Sequence, residues 1–263
     1  LCNSARIIPM MQFEAGLFCK LMRQNLVIGF GGIPLMFAKL MRHKTFDGPW
    51  LKNIRLMFCG GDDASDTFLR EFNSYVEKWG AVGRLRQGYG LTEVGSVCCT
   101  CTNTSFKPNS IGTPIEGVKM AVWDEDGNPL PDGEIGELVI AGPTIMSGYY
   151  TEDGSDGEGL VADKDGVLWV RSGDLGYRDS DGFYYFSGRK KRVIIISGYN
   201  IYPSDIEKGL VTLPFVKEAC CVKGFKNGKQ IIRLFVAYND TDHDRKDYEK
   251  QMCDFIRDHY SSF

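Results

Sequence analysis

From Phe13 to Glu93 the chain alternates short apolar runs with stretches of helical periodicity, and each apolar run passes into glycines. Phe13 to Arg23 carries Phe13, Leu17 and Leu21 at spacings of four, which predicts a helix with those side chains inward. Leu26 to Phe30 predicts a strand, followed by Gly31-Gly32-Ile33-Pro34, where Pro34 suits the first turn of a helix from Leu35 to Arg42. Ile54 to Cys59 predicts a second strand running into Gly60-Gly61-Asp62. Asp66 to Trp79 predicts a helix with Phe68, Phe72, Tyr75, Val76 and Trp79 on one side and Gly80 as its stop. A third strand ends in Gly88-Tyr89-Gly90-Leu91-Thr92-Glu93. Strands joined through helices predict a parallel sheet with helices on its faces. Such sheets bind ligands beyond the carboxyl ends of their strands. Gly29-Phe30-Gly31-Gly32 invites a dinucleotide-loop reading, but the third glycine of that motif falls on Pro34, and the reading is rejected.

The pattern changes further along. From Ile111 to Ser187 short strands (Val118 to Trp123, Glu137 to Ala141) alternate with tight turns such as Asp124 to Asn128, and Glu152 to Gly159 is a polar, glycine-rich loop. After Lys191, strands Phe215 to Val222 and Ile231 to Tyr238 are joined through Asn227-Gly228, a hairpin signal. Asp247 to Tyr260 predicts an amphipathic helix with Tyr248, Met252, Phe255 and Ile256 inward. The expected class is α/β. Residues 1–104 form part of a parallel-sheet α/β subdomain, 105–190 an antiparallel barrel-like subdomain, and 191–263 a small, incomplete α+β domain.

At 43% hydrophobic and 25% charged over 263 residues, the composition is that of a soluble globular protein. A net charge of −3 supplies no long-range attraction to nucleic acid or to an anionic membrane. No apolar run approaches the roughly 20 residues of a spanning helix. Nine cysteines in loose positions argue for a reducing cytoplasm. Cys98-Cys99-Thr100-Cys101 is too tightly spaced for paired zinc ligands, and His43, His243 and His259 are scattered, so the cluster reads as small buried thiols on a strand.

Tyr89 between two glycines offers an aromatic face. Thr92 offers a hydroxyl and Glu93 a carboxylate, types suited to a phosphate oxygen and to Mg2+. At Gly60-Gly61 the bare backbone can lie flat against a planar ring. A buried tyrosine, a surface glutamate and an ordinary βα turn fit the same residues. Further on, Asp174 follows Ser172-Gly173 and is expected exposed at a loop tip. A turn at Asp179 to Gly182 leads into the aromatic strand Phe183 to Phe186, then the cations Arg189 to Arg192, then a strand Val193 to Ile196. Gly198 and Pro203 break the chain, and Ser204 is expected to cap a short helix carrying Asp205 and Glu207. A carboxylate and an arginine flanking one hairpin can grip a sugar diol, although a surface hairpin with a solvated basic run fits as well.

Val170 to Glu207 reads VRSGDLGYRDSDGFYYFSGRKKRVIIISGYNIYPSDIE and closely resembles, in register, the TGD…GRxK…GxNxxPxEIE region of the adenylate-forming acyl-CoA synthetases and adenylation domains. It departs at Ser172 for Thr and Asp205 for Glu, both conservative. Gln87 to Glu93, QGYGLTE, resembles the same family residue for residue, as does Gly133 to Leu138 with Gly142-Pro143 and Met146 to Tyr149. By that resemblance Tyr89 stacks on adenine, and Gly60, Gly61 and Asp62 form the opposite wall; Gly90 and Phe186 also belong to the nucleotide site. The catalytic pair is Thr92, on the α-phosphate, and Glu93, holding Mg2+. Asp174 and Arg189 hold the ATP ribose, and Lys191 is the hinge between two domains. Ile33, Gly88 and Gly198 border the acid and thiol channel. Gly88 leaves more room than a larger residue, and with Ile33 and Val94 it leans toward an aromatic or aliphatic acid without a charged tail.

The implied activity joins ATP and a carboxylic acid into an acyl-adenylate with release of pyrophosphate, after which coenzyme A takes the acyl group. A carrier-protein thiol as acceptor, or nucleotide binding without turnover, are the other readings. The family's Ser/Thr/Gly-rich phosphate loop and its C-terminal catalytic lysine do not occur between Leu1 and Phe263. The chain is therefore expected to be a fragment, inactive alone, of a cytoplasmic ligase.

Overall fold

A computed structural model describes residues 6–62, 64–150, 159–196, 199–226, 229–239 and 245–260. The chain divides into two units, Leu1–Glu116 and Gly117–Phe263. Gly198, Asn227-Gly228 and nearly all of the loop from Glu152 lie outside the described residues.

In the first unit, α1 (Ala15–Asn25), β1 (Gly29–Gly32), α2 (Pro34–Met41), β2 (Leu56–Cys59), α3 (Asp66–Glu77) and β3 (Leu85–Leu91) follow one another as the periodicity predicts. β1, β2 and β3 pair in parallel. The sheet then turns antiparallel through β4 (Ser96–Thr100) and β5 (Thr113–Pro114), so its order is β1-β2-β3-β4-β5. Pro34 opens α2, and the Ser65 hydroxyl caps α3 by accepting from Phe68 N–H at 3.2 Å.

The inward face of α1 differs from the expected one. Phe18, Cys19 and Met22 are buried, and Leu17 is exposed. The Phe18 ring meets Phe30 edge-on at 4.9 Å and Phe13 at 5.9 Å, and these aromatic contacts choose the face. Likewise α3 turns Leu69, Phe72 and Val76 inward and leaves Trp79 exposed. Phe72 stands edge-on to Phe37 at 5.2 Å in a core that includes Phe46, Leu51, Ile54, Met57 and Leu85. Each such side chain contributes roughly 1.5–3 kcal/mol on burial. Cys98, Cys99 and Cys101 are buried as expected of small core thiols, and burial pushes the Cys99 thiol far up from its ordinary pKa.

In the second unit, β6 (Lys119–Trp123), β7 (Gly136–Ala141), β8 (Leu160–Ala162), β9 (Leu168–Arg178) and β10 (Tyr184–Arg189) form an antiparallel sheet of order β10-β9-β7-β6, with β8 on β9. Among the described residues this sheet stays open, and no barrel closes. A short pair, β11 (Ile194–Ile196) and β12 (Tyr199–Ile201), leads to α4 (Pro203–Val211). The hairpin β13 (Val216–Lys226) and β14 (Lys229–Tyr238) and then α5 (Arg245–Tyr260) complete the unit. Met252 joins Ile194, Ile206, Leu210 and Val216 in one core, with Phe255 and Ile256 packed on it, while Tyr248 stacks on Phe215 at 4.0 Å.

Ser204 is not a helix cap. Tyr202 holds the capping position, Pro203 starts α4, and the Ser204 hydroxyl donates to the Ser187 carbonyl of β10. Proline at the first helical position shifts the start by one residue and frees the serine for this tie.

Candidate functional site

In the first unit, a crevice of about 710 Å3 opens at the carboxyl ends of the parallel strands. Gly31 and Gly32 reach it from β1, Phe58 from β2, Gly60 and Gly61 from the turn after β2, and Gly88 to Leu91 from β3. Thr92, Gly95, Ser96 and Val97 complete its wall. The crevice thus brings together Gly60, Gly61, Gly88, Tyr89, Gly90 and Thr92 of the residues singled out from sequence. Four others lie outside its lining: Ile33, which precedes α2, Asp62, which is exposed, Glu93, which sits with Thr92 on a single helical turn, Thr92–Val94, and Val94, which is buried. A methyl built on Gly61 would stand 3.4 Å from Ile33 Cγ2, so Ile33 borders the turn itself.

The room beside Gly88 is already taken. A Cβ there would lie 2.2 Å from Phe58 Cε2, and one on Gly60 would lie 2.9 Å from Phe58 Cε1. The two glycines accommodate the Phe58 ring rather than leave a void, because close packing fills such spaces with the nearest side chain. Phe58 is a crevice residue that the sequence reading missed. Its signal was an aromatic at the third position of a four-residue strand that ends in Gly-Gly.

In the second unit, Asp174 is not exposed at a loop tip. It lies inside β9, 2% exposed and paired in register with Arg189 of β10, whose Nε is 3.0 Å from Oδ1. The guanidinium is largely exposed, so the pair presents one buried acid and one cation open to solvent. The apparent loop tip is a bulge. Gly173, with φ +69, adopts a backbone that other residues rarely tolerate, and the strand resumes on either side. The Asp179 turn forms as expected, its carboxylate accepting from the N–H groups of Asp181 and Phe183. Phe186 sits on β10 with Lys208 Nζ 5.8 Å over its ring. Lys191 is exposed on the turn Lys190–Arg192, and Arg192 bonds Glu207 at 2.7 Å.

A second buried carboxylate was also missed. Glu137 on β7 is 5% exposed and accepts from Arg171 Nε and Nη2 at 2.9 and 2.6 Å, from Gly173 N–H at 3.1 Å and from Lys190 Nζ at 3.3 Å. Burial works against its charge, but the Arg171 and Gly173 hydrogen bonds and the two cations prevail and hold its pKa below the ordinary carboxylate value. Its signal was one acid in the otherwise apolar strand GELVIA.

Residues 1–150 match the family model described as AMP-binding enzyme. The chain is 34% identical over 227 residues to a probable 4-coumarate–CoA ligase 3 of Dictyostelium discoideum, covering 82% of this chain and 38% of that protein. It is 31% identical over 230 residues to a feruloyl-CoA synthase of Amycolatopsis sp, covering 85% and 44%. The chain therefore spans less than half the length of these relatives. The amide bond synthetase McbA of Marinactinospora thermotolerans shares its fold, with a TM-score of 0.80 at 23% identity over 96% of this chain and 49% of that one. Among the described residues no helix is long and apolar enough to cross a membrane.

Proposed function

This chain belongs to the AMP-binding enzyme family, and on that premise we propose that it is part of an AMP-forming acid–thiol ligase. The whole protein activates a carboxylic acid as acyl-AMP with release of pyrophosphate, then passes the acyl group to coenzyme A. The observation that carries the reading is the meeting of Tyr89 with Gly60, Gly61, Gly90 and Thr92 on one crevice at the ends of parallel strands. Tyr89 gives a purine a face to stack on, and the bare glycine backbone lets a flat ring approach. Thr92 donates to a phosphate oxygen. Glu93, on the same turn, would supply a carboxylate to Mg2+, an ion commonly held by one or two carboxylates together with substrate phosphates. In the second unit, Asp174 accepts from ribose hydroxyls while Arg189 donates to the sugar.

In-line attack of a carboxylate on the α-phosphorus is promoted chiefly by positioning and by cations placed where charge develops. For thiol transfer, Lys191 is the pivot. A turn about Lys191 gives up the Ser204–Ser187 bond, the Lys208 Nζ bond to the Phe186 carbonyl at 3.4 Å and the Lys208 contact with the Phe186 ring. The relatives' names favour coenzyme A over a carrier-protein thiol. Phe58 and Val97 on the crevice wall favour an acid without a charged tail. A cytoplasmic setting accords with the free thiols of the described cysteines.

The test gives a panel of carboxylic acids, ATP and Mg2+ to the full-length protein and follows pyrophosphate release, with and without coenzyme A. Release with an uncharged-tail acid, and thioester only when coenzyme A is added, is the expected result. Silence across the panel overturns the reading. Tyr89→Ala weakens AMP binding by about tenfold or more, from the roughly 1–3 kcal/mol of a base–aromatic stack.

A further inference from the structure

We infer that Glu137 is the positioning residue of the Asp174–Arg189 pair, one buried carboxylate tied to the backbone before the acid and to the side chain after the arginine; the inference rests on the ribose reading above. Between the pairings Glu137↔Leu175 and Val139↔Arg171, β7 advances two residues and β9 four. The surplus pushes Ser172, Gly173 and Asp174 out of the ladder with β7, which removes the carbonyl partners their amides would have had. Side chains replace those partners. Gly173 N–H donates to Glu137 Oε1 at 3.1 Å, and Asp174 N–H donates to Ser172 Oγ at 3.0 Å. The Ser172 hydroxyl in turn donates to the Leu138 carbonyl at 2.6 Å. Glu137 thus fixes the residue on which the Asp174 carboxylate swings.

The other oxygen reaches the other member of the pair. Oε2 accepts from Arg171 and from Lys190 Nζ, and Lys190 is the residue after Arg189. A single carboxylate therefore bonds to the residue before the acid and the residue after the arginine. A buried charge is an expensive way to hold a sheet together. Apolar replacements of buried ion pairs are often neutral or stabilising, and the rest of β7, Leu138 to Ala141, is apolar. Ties from one anion to donors on both sides of the pair explain a charge here, since hydrogen bonds to an ionised acceptor are stronger than neutral ones.

The experiment titrates the chain with AMP and with 2′,3′-dideoxy-AMP, as wild type and as Glu137→Ala, Glu137→Gln and Lys190→Met. It also follows amide hydrogen exchange at Gly173 and Asp174 against Val170. Wild type prefers AMP, and Glu137→Ala lowers that preference at least tenfold while exchange quickens at Gly173 and Asp174 but not at Val170. Glu137→Gln keeps an oxygen for Gly173 N–H without the charge and falls between. Lys190→Met loses the Arg189 side alone and retains part of the preference. Where Glu137→Ala does not fold, a partial loss of the preference in the Gln and Met variants is the criterion, since Lys190 is 41% exposed and its loss leaves the core intact. A sugar preference undiminished in every variant overturns the inference and leaves the ribose reading standing. A wild-type chain indifferent to the sugar hydroxyls overturns the ribose reading and the inference with it.

Discussion

The crevice of the first unit and the Asp174 bulge of the second present binding groups by opposite means. The crevice is shaped by missing side chains: Gly31, Gly32, Gly60, Gly61, Gly88 and Gly90 all line it. The bulge is held by added side chains, Glu137 and Ser172 standing in for a strand ladder beside two buried carboxylates and their cations. A site made of bare backbone is damaged by adding atoms, and a site made of ion pairs is damaged by removing charge.

The largest expected effect tests the first half of that contrast. A Cβ on Gly90 would lie 1.7 Å from the Ser96 carbonyl oxygen, which is backbone of the paired strand and cannot swing aside. Gly90→Ala is expected to destabilise the first unit by more than about 3 kcal/mol, at or beyond the upper end of overpacking costs, read by urea denaturation. Gly88→Ala collides with the Phe58 ring and is expected to cost about 1–3 kcal/mol. Phe58→Leu in the same chain relieves most of it, leaving the milder contact with the Cys99 carbonyl at 3.0 Å, whereas Phe58→Leu does nothing for Gly90→Ala. Equal rescue of both would erase the distinction between a backbone wall and a side-chain wall.

Acid titration sharpens the other half. The folded pKa of Glu137 lies below its ordinary value, so its contribution to stability is complete above the unfolded carboxylate pKa and is lost as pH falls through the folded one. Thermal melting of wild type should therefore fall with decreasing pH below about 4.5, the ordinary value for this side chain, and Glu137→Gln should flatten that limb. A limb of unchanged slope would show that the carboxylate is not held ionised by its partners. The smallest effect belongs to an exposed pair in the same unit. Arg178 Nε lies 2.6 Å from Asp132 Oδ1 with both side chains over a third exposed, and Arg178→Ala is expected to cost under about 1 kcal/mol.

How far each region was legible follows from the same difference. The βα alternation of the first unit is local periodicity, and it appeared with α2 and α3 in nearly their expected bounds. The turn of α1 about its own axis was not legible, because Phe13, Leu17 and Leu21 and the competing Phe18, Cys19 and Met22 both make plausible stripes. Only the position of Phe30 decides between them. Asp174 was misplaced for a related reason. Ser-Gly-Asp reads as a loop locally, and the strand that contains it is visible only once Gly176 pairs with both β7 and β10. Glu137 lies 36 residues from the Gly173 N–H it accepts, a separation at which no local pattern signals a contact.

The order of residue types along the chain was enough to establish the parallel strands, the glycine turns at their ends, Tyr89 and Thr92 beside them, and an acid and an arginine flanking one hairpin. Those features are carried by neighbours in sequence. Which face of α1 turns inward, what fills the space over Gly60 and Gly88, and which carboxylate supports the Asp174 bulge were decided by tertiary structure. Each depends on side chains brought together from distant strands, and it is burial away from water that makes such contacts strong enough to choose one arrangement.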